Sequence, residues 1–470
     1  MKIRISEVRR QCLRRAVAGV VLLAAITGCA PAPPSELLPN ILLIVVDTLR
    51  ADRLGAYGNK RGLSPFLDEL ASRGTLFRNA YAPTSWTCPS IASLFTSRYA
   101  SQHGVNSFEA VLAPDEVTVA EILAGGGYVG AGFSANLRML EVNGYAQGFG
   151  AWQAYIGGEA GGHKPRGDVL RRDSLAWLRP LSRPDARQPK LLYLQYMEPH
   201  TPYEPGEPYR SQFLRGSDAV DEERARTRLV QQKKMTPAEV ERLESLYDGE
   251  VAAVDAEIRT LFGELGQLGF LSNAVIIITA DHGEEFGEHG VMLHGYTLFN
   301  GVMRIPMIIV APGLPAGRVV EENVSLVDVA PTLLELTGMA PAPTFEGRSL
   351  VPLMRSPYSP QALWARLIGA RHPDVIAEIE PLSGTMDFRV HAQAIVSGPE
   401  KLLITPKGKG ALYDVQKDPR EIEPLKASEQ LAQRLTERRA ELKSHARQSS
   451  VVRPLDDATR EKLRALGYQH

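Results

Sequence analysis

The residue types able to do chemistry gather in a few short stretches of this chain. Thr84 to Arg98, TSWTCPSIASLFTSR, packs a hydroxyl, a thiol and a helix start together. Pro89 suits the first turn of a helix, where its missing N–H costs nothing, and Ser90, Ala92, Ser93 and Leu94 carry the helix on. Thr87 therefore sits at or just before a helix N-terminus. That end carries roughly +0.5 of an elementary charge and several unpaired N–H groups, so it suits an anion or a developing oxyanion. Taken alone, the stretch reads as a capped surface helix. Asp47, Glu198 with His200, and Asp281 with His282 each follow a short apolar run. Singly, each acid reads as a loop residue capping a helix. Meeting in one crevice, they read as a metal or catalytic site.

The runs that must position them are Ile41 to Val46, Leu191 to Tyr196, Val275 to Thr279 and Met307 to Val310. Each is apolar on nearly every residue, as expected of parallel strands covered on both faces. Helical patterns lie between them, over Ser64 to Arg73, Val117 to Leu123, Pro237 to Leu268 and Ser325 to Thr337. The alternation predicts an α/β fold with an open, doubly wound, mostly parallel sheet, whose ligands bind beyond the carboxyl ends of the strands. From about Thr344 the pattern changes to short strand-like runs (Phe388 to Val396, Lys401 to Thr405), the turn Pro406 to Gly410 and a charged helix from Glu421 to about Arg447. Residues 346–470 are accordingly expected to form a smaller α+β subdomain beside a catalytic domain over 39–345. Residues 206–240, rich in Arg and Glu, read as an inserted surface segment.

With 44% hydrophobic and 23% charged residues among 470, the chain has ample core for a soluble globular protein. Beyond the first 28 residues, 47 basic side chains face 53 acidic ones, which gives no sign of a nucleic-acid partner. Residues 1–28 read as an export signal, a basic n-region followed by an apolar run from Ala16 to Ile26 that is too short to span a bilayer. The run ends in Ile26-Thr27-Gly28-Cys29, which resembles a bacterial lipoprotein box and makes Cys29 the expected lipidated residue. Arg9-Arg10-Gln11-Cys12-Leu13-Arg14 loosely resembles a twin-arginine signal. The Pro-rich residues 29–38 read as a tether, which puts the protein in the cell envelope, periplasmic or surface-facing. After processing, Cys29 and Cys88 would be the only cysteines, so the core must hold the fold.

Five phrases in order carry a resemblance to the sulfatase family of the alkaline phosphatase superfamily. They are NILLIVVDTLRADRLGAYG (Asn40 to Gly58), the Thr84 to Arg98 stretch, YMEPHTPY (Tyr196 to Tyr203), TADHGEEFGEHG (Thr279 to Gly290) and HGYTLFNGVMRIPMII (His294 to Ile309). ALYDVQKDPRE (Ala411 to Glu421) is similar to the small C-terminal subdomain of the same enzymes. The resemblance implies that Asp47, Asp281 and His282 are metal ligands, together with Thr87, which stands at the nucleophile position. It places His200 and His294 where the transferred sulfuryl or phosphoryl group is bound and the leaving oxygen protonated. A divalent ion would neutralise the tetrahedral anion and lower the nucleophile's pKa, and a histidine would assist departure of the alcohol.

Departures from the family pattern sharpen that expectation. The usual Cys-x-Pro-Ser-Arg reads Thr87-Cys88-Pro89-Ser90-Ile91, so no formylglycine is expected. The paired aspartates after the first strand are Asp47-Thr48, and the Gly-Lys-Trp-His stretch has no counterpart near Gly132 to Asn136, GFSAN. A threonine with an Asp-His pair and a second histidine at His294 is similar instead to phosphoethanolamine transferases. The mixed O/N ligand set favours Zn²⁺ or Mn²⁺ over Ca²⁺, although Ca²⁺ remains a candidate. The expected function is metal-dependent hydrolysis of a sulfate or phosphate ester on a glycan, lipid or small aryl or alkyl group. The alternatives are a phosphotransferase or phosphodiesterase with unmodified Thr87 as covalent nucleophile, and a catalytically silent glycan-binding lipoprotein.

Other signals lose their context. Gly125 to Gly130 satisfies GxGxxG but follows a predicted helix, so it reads as a helix stop leading into a strand. GFSAN lacks the last glycine of a serine-hydrolase elbow. His282, Glu285, Glu288 and His289 do not form HExxH, and Glu284, Glu285 and Glu288 read as a solvated or substrate-facing loop. Cys88 reads as a small buried residue.

Overall fold

The computed structural model describes residues 37–107, 109–155, 164–182, 188–216, 219–231, 233–355, 374–379, 393–405, 407–426, 428–447, 450–454 and 457. The expected signal peptide, the Cys29 lipidation site and the Phe388 end of one expected strand lie outside the described residues. The chain divides into Met1–Leu38 and Pro39–His470. Of the first unit only Leu37 and Leu38 are described, and both are exposed. Among the described residues no helix is long and apolar enough to cross a membrane.

Pro39–His470 is organised on a nine-stranded sheet. Its strands are β1 (Asn40–Val46), β2 (Thr75–Tyr81), β3 (Val129–Ser134), β4 (Ala151–Ala154), β5 (Lys190–Tyr196), β6 (Ala274–Thr279), β7 (Arg304–Ile305), β8 (Met307–Val310) and β9 (Arg318–Ser325). β1 lies between β5 and β6 and is parallel to both, with Ile44 opposite Leu194 and Ile278. Every residue from Ile41 to Val46 is buried, so β1 is covered on both faces, as its unbroken apolar run requires. β3 and β4 extend the parallel array beyond β5, and β9 runs parallel to β2.

Met307–Val310 departs from the expected parallel direction: β8 is antiparallel to both β6 and β2. A parallel return needs a crossover, usually a full helix. Among the elements between β6 and β8 the only helix is the four-residue turn Asn300–Met303, so the chain doubles back. Pro306, which has no N–H for a ladder, separates β7 from β8 along the same edge of β2.

The helices are α1 (Pro65–Arg73), α2 (Thr87–Thr96), α3 (Val119–Gly125), α4 (Gly167–Leu178), α5 (Tyr209–Phe213), α6 (Glu222–Val230), α7 (Pro237–Gln267), α8 (Val329–Leu336) and α9 (Glu429–Ser444). Reciprocal caps start α3 at Thr118/Glu121 and α7 at Thr236/Glu239. The Gly125 to Gly130 run ends α3 and opens β3, as its reading as a helix stop required. α5, α6 and the start of α7 occupy the 206–240 segment.

A second sheet, β10 (Val375–Glu378), β11 (Gln393–Ser397), β12 (Glu400–Ile404) and β13 (Gly410–Asp414), is an antiparallel meander. One face packs on Leu431, Leu435 and Leu442 of α9, and the other joins Leu298, Phe299 and Met303 in a shared apolar cluster. α9 starts at Glu429, capped by the Ser428 hydroxyl, rather than at the expected Glu421. Glu421 has left-handed backbone (φ 54°) and Pro424 follows it, so a helix cannot run through.

Candidate active site

The carboxyl ends of β1 and β6 and the start of α2 converge. Asp47 follows β1, Asp281 and His282 follow β6, and Thr87 is the first residue of α2. All four are buried. The Thr87 hydroxyl lies 3.3 Å from His282 Nε2 and 3.5 Å from Asp47 Oδ2. His282 Nε2 is 3.4 Å from Asp281 Oδ2 and 3.8 Å from Asp47 Oδ1. Ser90, one turn into α2, donates to the Asp281 carbonyl at 2.6 Å and locks the helix start onto the end of β6.

Hydrogen bonding fixes what these groups offer. His282 Nδ1 faces the Gly283 carbonyl at 2.9 Å. A carbonyl only accepts, so Nδ1 carries the proton and Nε2 turns a lone pair toward Thr87 and the two carboxylates. Asp281 Oδ1 accepts from the N–H of Thr48 (3.3 Å) and of His282 (2.9 Å), and Asp47 Oδ2 accepts from Asn136 Nδ2 at 2.8 Å. Asp281 Oδ2 and Asp47 Oδ1 are buried with no hydrogen-bond partner. One atom each from Asp47, Asp281 and His282 can be chosen so that all lie within 4.8 Å of one another.

Burial pushes the Asp281 carboxyl up to about 7, and burial and then the neighbouring Asp281 hold Asp47 well above the usual carboxylate range. Burial also pushes His282 down to about 4. Two carboxylates and a neutral imidazole that resist charging together are what a divalent cation would relieve. Two orphaned carboxylate oxygens and a free imidazole lone pair therefore fit such an ion, and as O/N donors they suit Zn²⁺ or Mn²⁺.

His200 and His294 complete the cluster. The His294 ring centroid is 4.5 Å from that of His282 and 4.9 Å from that of His200. His200 Nδ1 bonds the Thr201 carbonyl at 2.6 Å, and Lys164, paired with Glu250 of α7, holds the His200 carbonyl at 2.5 Å. Gly295 N–H bonds the Ser85 carbonyl, which ties the His294 turn to the loop ahead of Thr87.

Each residue expected at the site is thus brought there, while Glu198, marked by the same strand-end signal, is not. Its carboxylate accepts the Gly167 N–H at 3.0 Å and caps α4. Of the expected solvated or substrate-facing loop, the solvated alternative is corrected at Glu284 and Glu285, because both are fully buried. Glu284 joins His294 Nδ1 (2.8 Å) to the Tyr203 hydroxyl (2.9 Å), and burial pushes its carboxyl up to about 8. Gly283 makes the burial possible, since a Cβ there would lie 2.1 Å from the Gly301 carbonyl oxygen. Asn136, within the GFSAN stretch, was not marked by the sequence as a partner of Asp47. Cys88 is buried as expected, and burial raises its thiol pKa, away from reactive thiolate. Trp86 belongs to the main core.

Residues 39–339 match the family model described as Sulfatase. The chain is 31% identical to human arylsulfatase A over 373 residues, covering 71% of this chain and 70% of that protein. It is 27% identical to the extracellular sulfatase SULF-1 homolog of Drosophila melanogaster over 68% of this chain, but spans only 32% of that protein's length. Among solved structures it resembles a protein in complex with its substrate D-glucosamine-2-N,6-O-disulfate (TM-score 0.69, 18% identity, 87% of this chain and 98% of that one). It also resembles the phosphonate monoester hydrolase of Silicibacter pomeroyi (TM-score 0.65, 21% identity, 87% and 95%). At these identities the structural likenesses show the fold alone.

Proposed function

The chain belongs to the sulfatase family of sulfuric ester hydrolases, and we propose that it is a metal-dependent hydrolase in which unmodified Thr87 attacks a sulfate or phosphorus ester. The observation that carries this is the convergence of two partnerless buried carboxylate oxygens and the His282 Nε2 lone pair beside the Thr87 hydroxyl. Asp47, Asp281 and His282 would hold a divalent cation, Zn²⁺ or Mn²⁺ in preference to Ca²⁺. When bound, the ion supplies positive charge against the tetrahedral anion and lowers the pKa of a neighbouring hydroxyl. The positive end of the α2 dipole, at Thr87, would favour the same anion. His200 and His294 face the transferred group and the leaving oxygen, and the buried walls keep water from competing.

Thr87 in place of a formylglycine precursor, with Cys88 buried in α2, favours a second reading in the same site: phosphoryl transfer through a covalent phosphothreonine. The phosphonate hydrolase likeness is compatible with it. A silent glycan-binding role is disfavoured, because two orphaned carboxylates are costly to keep without an ion. The neighbour seen with a glucosamine disulfate motivates a sulfated or phosphorylated glycan as substrate, with lipid and small aryl or alkyl esters as alternatives. Envelope placement through a Cys29 lipid belongs to the same proposal and rests on the sequence.

The test is turnover of matched p-nitrophenyl sulfate, phosphate, phosphodiester and phosphonate esters, with Thr87→Ala alongside. Thr87-dependent preference for sulfate supports sulfate hydrolysis by a plain hydroxyl, and preference for a phosphorus ester supports the second reading. Turnover retained in Thr87→Ala defeats both. Elemental analysis finding calcium alone would refute the Zn²⁺ or Mn²⁺ assignment.

A further inference from the structure

The segment that follows His294 has two faces. Its inner face holds the metal-ligand loop: Gly283 N–H bonds the Val302 carbonyl at 2.6 Å and Glu284 N–H bonds the Gly301 carbonyl at 2.9 Å. Its outer face belongs to the small sheet. Phe299 packs edge-on against Tyr413 of β13, with ring centroids 6.1 Å apart, and Asn300 is gripped from three directions. Glu421 accepts the Asn300 N–H at 2.5 Å, Lys401 of β12 donates to Asn300 Oδ1 at 2.9 Å, and Asn300 Nδ2 donates to the Pro419 carbonyl at 3.1 Å. Lys401 and Glu421, both with fully buried side chains, form an ion pair at 2.8 Å.

Two features say that this grip does more than attach a subdomain. Glu421 has a left-handed backbone, strained for a residue with a Cβ, and it keeps that conformation where its carboxylate reaches Asn300. Beside it lies a cavity of about 220 Å³ lined by Arg50, Glu288, His289, Asn300, Arg304 and Arg420 among others, so at Asn300 directed polar contacts hold the loop beside open space. A second link crosses the same junction. His289 stacks on Phe299 (3.5 Å, 9°) and joins the Glu285 carboxylate (3.1 Å) to the Arg420 carbonyl (2.9 Å).

We propose that Glu421, Lys401 and Asn300 are positioning residues for the active site, setting the loop that carries His282 and Glu284 through the main-chain bonds of Gly301 and Val302. The C-terminal sheet would then be part of the catalytic apparatus, acting two hydrogen-bonded layers behind the metal ligands.

The experiment uses the mature full-length protein with Asn300→Ala and Glu421→Ala. Asn300→Ala removes the side-chain links but leaves the Lys401–Glu421 pair, so it stays informative if Glu421→Ala does not fold. Zn²⁺ and Mn²⁺ are titrated against a competing chelator, and amide exchange of Gly283 and Glu284 is followed in metal-free protein well below Tm. The expected result is a Kd raised by about tenfold or more, as partners behind metal ligands typically produce, together with faster exchange at those two amides than in β1. A lowered Tm with unchanged Kd and unchanged exchange would overturn the proposal and leave a purely structural grip. The affinity arm rests on the proposed metal centre and the exchange arm does not: if wild-type protein binds neither ion, that centre fails, and the exchange result alone decides the positioning role.

Discussion

Two of the buried charged clusters in this molecule, one at the ends of β1 and β6 and one between β12 and the Asn300 turn, are solved in opposite ways. In the second, Lys401 faces Glu421, and Asn300 takes up the remaining Lys401 and Glu421 contacts. In the first, two carboxyls sit together against a neutral imidazole, and among the described residues Asp47 Oδ1 and Asp281 Oδ2 have neither a hydrogen-bond partner nor a cation facing them, whereas Glu421 Oε1, also without a hydrogen bond, has the Lys401 ammonium at 2.8 Å. Burial is the same in both, so burial cannot explain the difference. A protein keeps unmatched charge inside only where something else supplies the match, which assigns ion binding to the Asp47 cluster and to the Lys401 cluster the holding of the loop behind the metal ligands.

The largest effect should come from the unmatched cluster. Asp281→Ala should abolish metal binding and lower turnover by about 10³-fold or more, checked by elemental analysis and steady-state kinetics. Retention of either would break the comparison, because the cluster would then need no ion.

Removing a partner from the matched cluster should act first on stability. Lys401→Met leaves Glu421 buried and uncompensated, and should cost about 3–5 kcal/mol in urea unfolding. Replacing Glu421 by Leu in the same chain should recover most of that loss, since apolar replacement of a whole buried pair is often neutral. No recovery would mean that the Asn300 cap, rather than the ion pair, carries the stability.

Metal-free protein offers a third contrast. The Asp281 carboxyl titrates near 7 when folded, against about 3.9 for an unfolded aspartate. Below about pH 4 both states hold the proton and no penalty exists. As pH rises from about 4 to 7 the unfolded chain ionises while the folded carboxyl does not, so the Asp281 contribution to stability should fall, by on the order of 2–4 kcal/mol, and level off above about 7. Asp281→Asn keeps an oxygen for the Thr48 and His282 N–H groups and should remove this contribution, which is read as the difference between wild type and Asp281→Asn because Asp47 and His282 titrate in both. Saturating metal should remove it in wild-type protein too. A metal-free wild type whose stability does not fall relative to Asp281→Asn over that window would show the Asp281 carboxyl to be matched after all.

How much of this could be read from the chain follows from how local each signal is. β1, β5, β6 and β8 were legible because a strand covered on both faces is apolar throughout, but that same uniformity carries no direction, so the reversal of β8 was not. Thr87, Asp47, Asp281, His282, His200 and His294 were legible through motif phrases at strand ends and a helix start. Glu198 carries the same local mark and caps α4 instead, which only the position of Gly167 reveals. Glu284 and Glu285 read as solvated because paired acids usually are. Their burial depends on Tyr203, His294, His289 and a glycine contact at Gly301, none adjacent in sequence.

Asn136 gives the smallest effect and the finest test of the contrast, because it marks where the unmatched cluster meets matched protein. Its amide donates to Asp47 Oδ2 at 2.8 Å, while its own oxygen accepts from the Arg138 N–H at 2.9 Å and its N–H bonds Ser134 at 3.1 Å. Asp47 is therefore held by one oxygen, and the other, Oδ1, is left for an ion. The amide orients the carboxylate without adding a charge that would repel the ion. Asn136→Ala should weaken Zn²⁺ or Mn²⁺ binding by about tenfold, as partners of metal ligands typically do, while costing only about 1 kcal/mol of metal-free stability. Asn136→Asp should instead add a third carboxyl to a site already short of positive charge, lowering metal-free stability more than the alanine change does. If both substitutions moved stability equally and left affinity unchanged, Asp47 would be oriented by its backbone alone, and the division between its two oxygens would carry no functional meaning.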